Sequence, residues 1–141
     1  MSNPSNNLPQ SLQVLDPGIR MGDIQALANA VAQWLYASSQ DAITASTTQT
    51  QVGGTVLNAT ISRITSANSS DAVTLGFSAS PGRSFEIIND SGQTISLFPK
   101  SGDKLNDASK DAAVTIADNT ISYYSCPKIG LWFGGPATLE A

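Results

Sequence analysis

Apolar residues recur along this chain in two rhythms. From Gly22 to roughly Ser39 they fall three and four apart: Ile24, Leu27, Val31 and Trp34 take the a and d positions of a heptad, and Ala28 and Leu35 widen the stripe. That spacing predicts one α-helix over residues 22–39, with Asp23 as its N-cap and as an acidic complement to the helix dipole. The remaining positions, among them Ala26, Asn29, Ala30, Ala32 and Gln33, are small and almost uncharged. A solitary surface helix carries Lys and Glu there. The stripe therefore suits packing on the chain's own β domain, or a short helical bundle at a symmetry axis. Two heptads are too short to hold a bundle alone, so in that case the β domain contributes to association.

From Gly54 onward the period drops to two, interrupted by turn residues. Thr55–Ile64 alternates Val56, Leu57, Ala59, Ile61 and Ile64 against Asn58, Thr60, Ser62 and Arg63. Short strands follow over 73–77, 84–89, 94–98, 104–106, 112–116, 120–125 and 131–133. Asp90-Ser91-Gly92 and Ala117-Asp118-Asn119 predict hairpins joining 84–89 to 94–98 and 112–116 to 120–125. Gly134-Gly135-Pro136 ends the regular structure. The expected fold is mainly β: an antiparallel β-sandwich or barrel of roughly seven to eight short strands, preceded by an extended N-terminal arm and one α-helix.

The arm spans residues 1–21. Pro4, Pro9 and Pro17 exclude a helix there and bias the backbone toward extended geometry. Leu8, Leu12, Val14 and Leu15 are its apolar positions. The segment is either a disordered tail or an arm that orders when those residues dock on a partner. Residues 40–53, rich in Ser, Thr and Gln and closing on Gly53-Gly54, read as a linker. The organisation is arm 1–21, helix 22–39, linker 40–53 and β domain 54–141.

Composition narrows the function classes. Charged residues are only 13% of the 141, about half the usual share. Net charge is −4 and no cluster of Lys and Arg occurs. Binding to nucleic acid or to an anionic membrane surface draws on such clusters, so neither is expected. The N-terminus is polar and reads as no signal peptide, and no apolar run approaches a membrane span. Cys126 is the one cysteine, so no intrachain disulfide forms; this fits assembly in a reducing cytoplasm.

The chain has no histidine. That removes the commonest general base and metal ligand and with them any Ser-His-Asp or Cys-His site. Cys126 reads as a small buried hydrophobe. Asp71, Asp90, Asp103, Asp107, Asp111 and Asp118 sit in predicted turns, where a carboxylate bonds the local backbone. Glu86 alternates outward between Phe85 and Ile87. Asp103, Asn106, Asp107 and Asp111 form the densest oxygen-rich stretch, but Lys104 and Lys110 intervene and the spacing is not that of an EF-hand loop. Among the aromatics, alternation puts Tyr123 and Tyr124 on opposite faces; with Trp132 and Phe133 they read mainly as core. No enzyme activity, metal or cofactor is expected.

The segment Asp71–Phe133 carries a further pattern: DAVTLGFSASPGRSFEIINDSGQTISLFPKSGDKLND, then AVTIADNTISYYSCPKIGLWF. A VTL strand, a Pro-Gly turn, an Asn-Asp-x-Gly turn, an I-x-LFP strand and a terminal Cys-Pro…Trp resemble β domains of tailed-bacteriophage virion proteins, above all head decoration (cement) and head-fibre proteins. The resemblance implies a homotrimer on the outer capsid surface that contacts the major capsid protein and bridges capsomers. Ile24, Leu27, Val31 and Trp34 would then be trimer-contact residues, and Leu8, Leu12, Val14 and Leu15 the capsid-binding arm. The alternative is a receptor- or carbohydrate-binding module of a head or tail fibre, with a glycan as partner.

Overall fold

The computed structural model describes residues 23–28 and 38–138, with side chains to 136. The chain divides between Ala37 and Ser38. Residues 23–28 are helical, with Ile24 half-exposed and Leu27 exposed. Val31 and Trp34, and the arm positions Leu8, Leu12, Val14 and Leu15, lie outside the described residues.

The unit that starts at Ser38 is mainly β, as expected. Its strands are β1 (Ser39–Thr44), β2 (Thr55–Leu57), β3 (Ile61–Ser66), β4 (Ala72–Leu75), β5 (Ser84–Asn89), β6 (Ile95–Phe98), β7 (Lys104–Leu105), β8 (Val114–Ile116), β9 (Thr120–Lys128) and β10 (Leu131–Thr138). They form a six-stranded sheet, β1-β3-β5-β9-β10-β7, and a four-stranded sheet, β2-β4-β6-β8. Up to β8, each strand crosses to the sheet opposite its predecessor. The pairs β1–β3, β3–β5, β2–β4 and β4–β6 are all parallel.

This is a solenoid-like stack of rungs, not the expected antiparallel sandwich or barrel. Parallel neighbours need a long crossover, usually a helix; here the strand of the facing sheet is the crossover, so no helical signal marks it. Stacking puts like residues in register: Ile43 on Ile64, Thr55 on Val73 on Leu97, and Leu57 on Leu75. Antiparallel strands appear where the stack closes, as β8 pairs with β6 and β9 with β5.

Four further expectations are corrected. The hairpins predicted across Asp90-Ser91-Gly92 and Ala117-Asp118-Asn119 are absent: β5 and β6, like β8 and β9, lie in different sheets. Both turns are corners between sheets, and they are tied together. Gly92 N–H donates to Asp118 (2.8 Å) and Asn119 N–H to the Asn89 carbonyl (2.8 Å). The hairpin that does form joins β9 to β10 through Ile129-Gly130, with Gly130 at φ 80°. The single strand read over Thr55–Ile64 is two, β2 and β3, which Asn58-Ala59-Thr60 sends to opposite sheets.

The segment 40–53, read as linker, contains most of β1, which is parallel to β3 despite a positive φ at Ala42 and register shifts beside it. Its apolar content is low because β1 buries one residue, Ile43. Finally, Gly134-Gly135-Pro136 does not end the regular structure but lies inside β10. Gly134 is required there, because a Cβ would fall on the Tyr123 carbonyl of β9.

The core fills the space between the sheets. Ile64, Val73, Ile87, Ile95, Leu97, Leu105 and Trp132 have no exposed surface; each such aliphatic stabilises by about 1.5–3 kcal/mol over leaving it in water. At one end Phe85 stacks on its register partner Tyr124 at 4.9 Å and meets Trp132 edge-on at 4.8 Å. Arg83 covers Phe77 from outside, its guanidinium 4.3 Å from the ring centre. Burial pushes the Tyr124 phenol above its ordinary range.

Candidate functional site

Alternation along the long strands sends one set of side chains inward and leaves another on the outer face of the six-stranded sheet. On β3 that outer set is Ile61 and Arg63; on β5, Ser84, Glu86 and Ile88; on β9, Ile121, Tyr123 and Ser125; on β10, Phe133 and Gly135. Register makes rows of them. Ile61 lies beside Glu86, Glu86 beside Tyr123 and Tyr123 beside Gly135. Ser84 lies beside Ser125, which lies beside Phe133; Ile88 lies beside Ile121. Gly135 offers no side chain, so the Tyr123 ring has open sheet next to it.

Ile61, Tyr123 and Phe133 are 38, 47 and 47% exposed, which is high for large apolar residues grouped on one face. Between the rows lies a cleft of about 290 Å³, lined by Ile61, Ser84, Glu86, Tyr123 and Ser125. Glu86 is half-buried at its centre. It faces outward, as alternation predicted.

Several other charged groups are engaged. Arg63 of β3 donates to Asp41 of β1 at 3.1 Å and to Asp90, just past the end of β5, at 2.6 Å. The Ala42 N–H, and then Arg63, hold the Asp41 carboxyl below its usual value; the two carboxylates raise Arg63 in turn. Asp71 is buried and accepts the Asn68 N–H (2.7 Å). Buried Asp103 accepts the Ala79 N–H (2.8 Å). Asp111 accepts from Gly102 N–H (2.7 Å) and Gln51 (3.1 Å), which lower its pKa. Asn106, at φ 52°, accepts the Gly134 N–H (2.9 Å). Of the aspartates read as turn residues, Asp71 and Asp111 pin nearby backbone, whereas Asp103 and Asp118 accept from N–H groups 24 and 26 residues away and Asp90 pairs with Arg63. Among the described residues, no group of three His, Cys, Asp or Glu side chains is placed to hold a metal.

Cys126 is buried, its thiol 3.0 Å from the Lys128 carbonyl. Tyr123 and Tyr124 do divide between the faces, and Trp132 and Phe133 divide likewise. Trp132 has no exposed surface and Tyr124 is buried, so of these four rings Tyr123 and Phe133 are the two open to a ligand. Comparison with family models, curated proteins and solved structures finds no match to this chain.

Proposed function

We propose that this chain is a structural virion protein that decorates the outside of a phage capsid as a homotrimer and stabilises the shell by bridging capsomers. The observation that carries the reading is the pairing of a rigid, side-chain-pinned β stack with a wide apolar outer face on its larger sheet. Such a face suits an interaction partner. In this reading the arm, through Leu8, Leu12, Val14 and Leu15, engages the major capsid protein. The helix stripe Ile24, Leu27, Val31 and Trp34 lies at the threefold axis. Multivalent attachment then converts weak single contacts into a stable cement. Deleting residues 1–18 abolishes binding to undecorated capsids and leaves the trimer intact; undiminished capsid binding refutes the assignment.

A second reading, a receptor- or carbohydrate-binding module of a head or tail fibre, is favoured by the exposed Tyr123 ring beside hydroxyls of Ser84 and Ser125. Glycan-array binding that disappears on Tyr123→Ala supports it; a silent array removes it.

A further inference from the structure

We propose that the outer face of the six-stranded sheet is a protein-docking surface that receives a basic side chain, Arg or Lys, of its partner on Glu86. This deepens the attachment reading by naming the kind of partner, yet it rests on the chemistry of the face alone.

A sheet with one face in water alternates apolar and polar residues. This sheet departs from that rule. Ile61, Ile88, Ile121, Tyr123 and Phe133 all point outward, in neighbouring rows, while Ile64, Ile87, Tyr124 and Trp132 fill the inner side. The face is apolar enough to be covered. Its strands are in register over β3, β5 and β9, so the patch is continuous across them.

One group decides what covers it. Glu86 stands between Ile61 and Tyr123, and its carboxylate meets no cation or donor among the described residues. Arg63, on the next outward position of β3, is already committed to Asp41 and Asp90. An apolar or neutral partner would strip water from an uncompensated carboxylate, which opposes docking. A guanidinium or ammonium compensates it. Ile61, Glu86 and Tyr123 line one cleft, so a basic side chain lodged there would find apolar surface for its stem and a carboxylate and an aromatic ring for its cation. Ser84 and Ser125 leave hydroxyl acceptors at the rim. The chain's net charge of −4 also steers a basic surface toward it.

The test is an NMR titration of the full, isotope-labelled chain with N-acetyl-arginine amide, its uncharged isostere N-acetyl-citrulline amide, and a methyl glucoside. The arginine amide should give saturable shifts at the backbone amides of Glu86, Tyr123 and Ser125. The citrulline amide should bind at least tenfold more weakly. Glu86→Gln should lose the arginine response while melting at the wild-type temperature. Equal response to citrulline, no saturable response to arginine, or saturation by the glucoside alone overturns the proposal. So does movement of the same amides on simple dilution, which would assign the face to a second copy of the chain. Apart from the dilution result, none of these outcomes bears on whether the protein is trimeric or binds capsids through its arm.

Discussion

Asn89 has no exposed surface, and its side chain joins two corners of the stack. Its Nδ2 donates to the carbonyls of Gln93 (2.8 Å), Ile116 (3.0 Å) and Ala117 (3.1 Å). Its Oδ1 accepts from the Ser91 N–H (3.2 Å) and hydroxyl (2.7 Å). Asn89→Ala removes all of these at once. The Ile116 carbonyl loses a buried donor, costing about 1–3 kcal/mol, and the other bonds, nearer solvent, contribute about 0.5 kcal/mol each. The loss should total about 3–5 kcal/mol, a large part of the roughly 5–15 kcal/mol that holds a domain folded. For a β unit of this size that lowers Tm by about 12–20 °C.

Urea unfolding followed by circular dichroism measures the change, and an unaltered slope identifies it as loss of native stability. Asn89→Asp keeps the shape but turns carboxylate oxygens toward three carbonyls, so it should be at least as damaging as Ala. A cost below about 1 kcal/mol for Ala, or a tolerated Asp, refutes the role given to this side chain.

Acid should destabilise the fold through Asp41 and Asp111. Both carboxyls are held below the usual 3.8, so their contribution is complete above that value and is lost as pH falls through the lower folded values. The urea midpoint should therefore drop more between neutral pH and pH ~3 for wild type than for Asp41→Asn/Asp111→Asn; equal drops contradict this. Gly134→Ala should be among the costlier glycine changes, about 3 kcal/mol, because its Cβ meets the β9 backbone, whereas Gly82→Ala, at φ 84° in open space, should cost about 1 kcal/mol; comparable melting temperatures for the two would overturn the register at Gly134. The Cys126 thiol should resist a thiol reagent until the chain unfolds, with labelling and circular dichroism sharing one urea midpoint; fast labelling of the native protein would place it at the surface.

Much of the strand content was legible from period-two alternation: Ser84–Asn89 is found residue for residue, and β4, β6, β7 and β8 within a few positions. The topology was not, for a physical reason. A turn such as Asp90-Ser91-Gly92 reverses the chain equally well into the same sheet or the facing one, and what decides is the long-range clamp by Asn89 and Asp118. β1 was hidden because it buries only Ile43. The outer face left a trace that went unread. Ile87-Ile88, Tyr123-Tyr124 and Trp132-Phe133 are adjacent large apolar pairs, and alternation must send one member of each to either side. Alternation over Thr55–Ile64 groups Ile61 with the other apolar positions, but β3 turns Ser62 and Ile64 inward and leaves Ile61 outside.

The most direct test of the proposed role is the solution mass of the full chain by light scattering on a sizing column across a wide concentration range. A stable species of three times the 14.6 kDa subunit mass is the predicted result. A monomer at every concentration contradicts the homotrimeric decoration account.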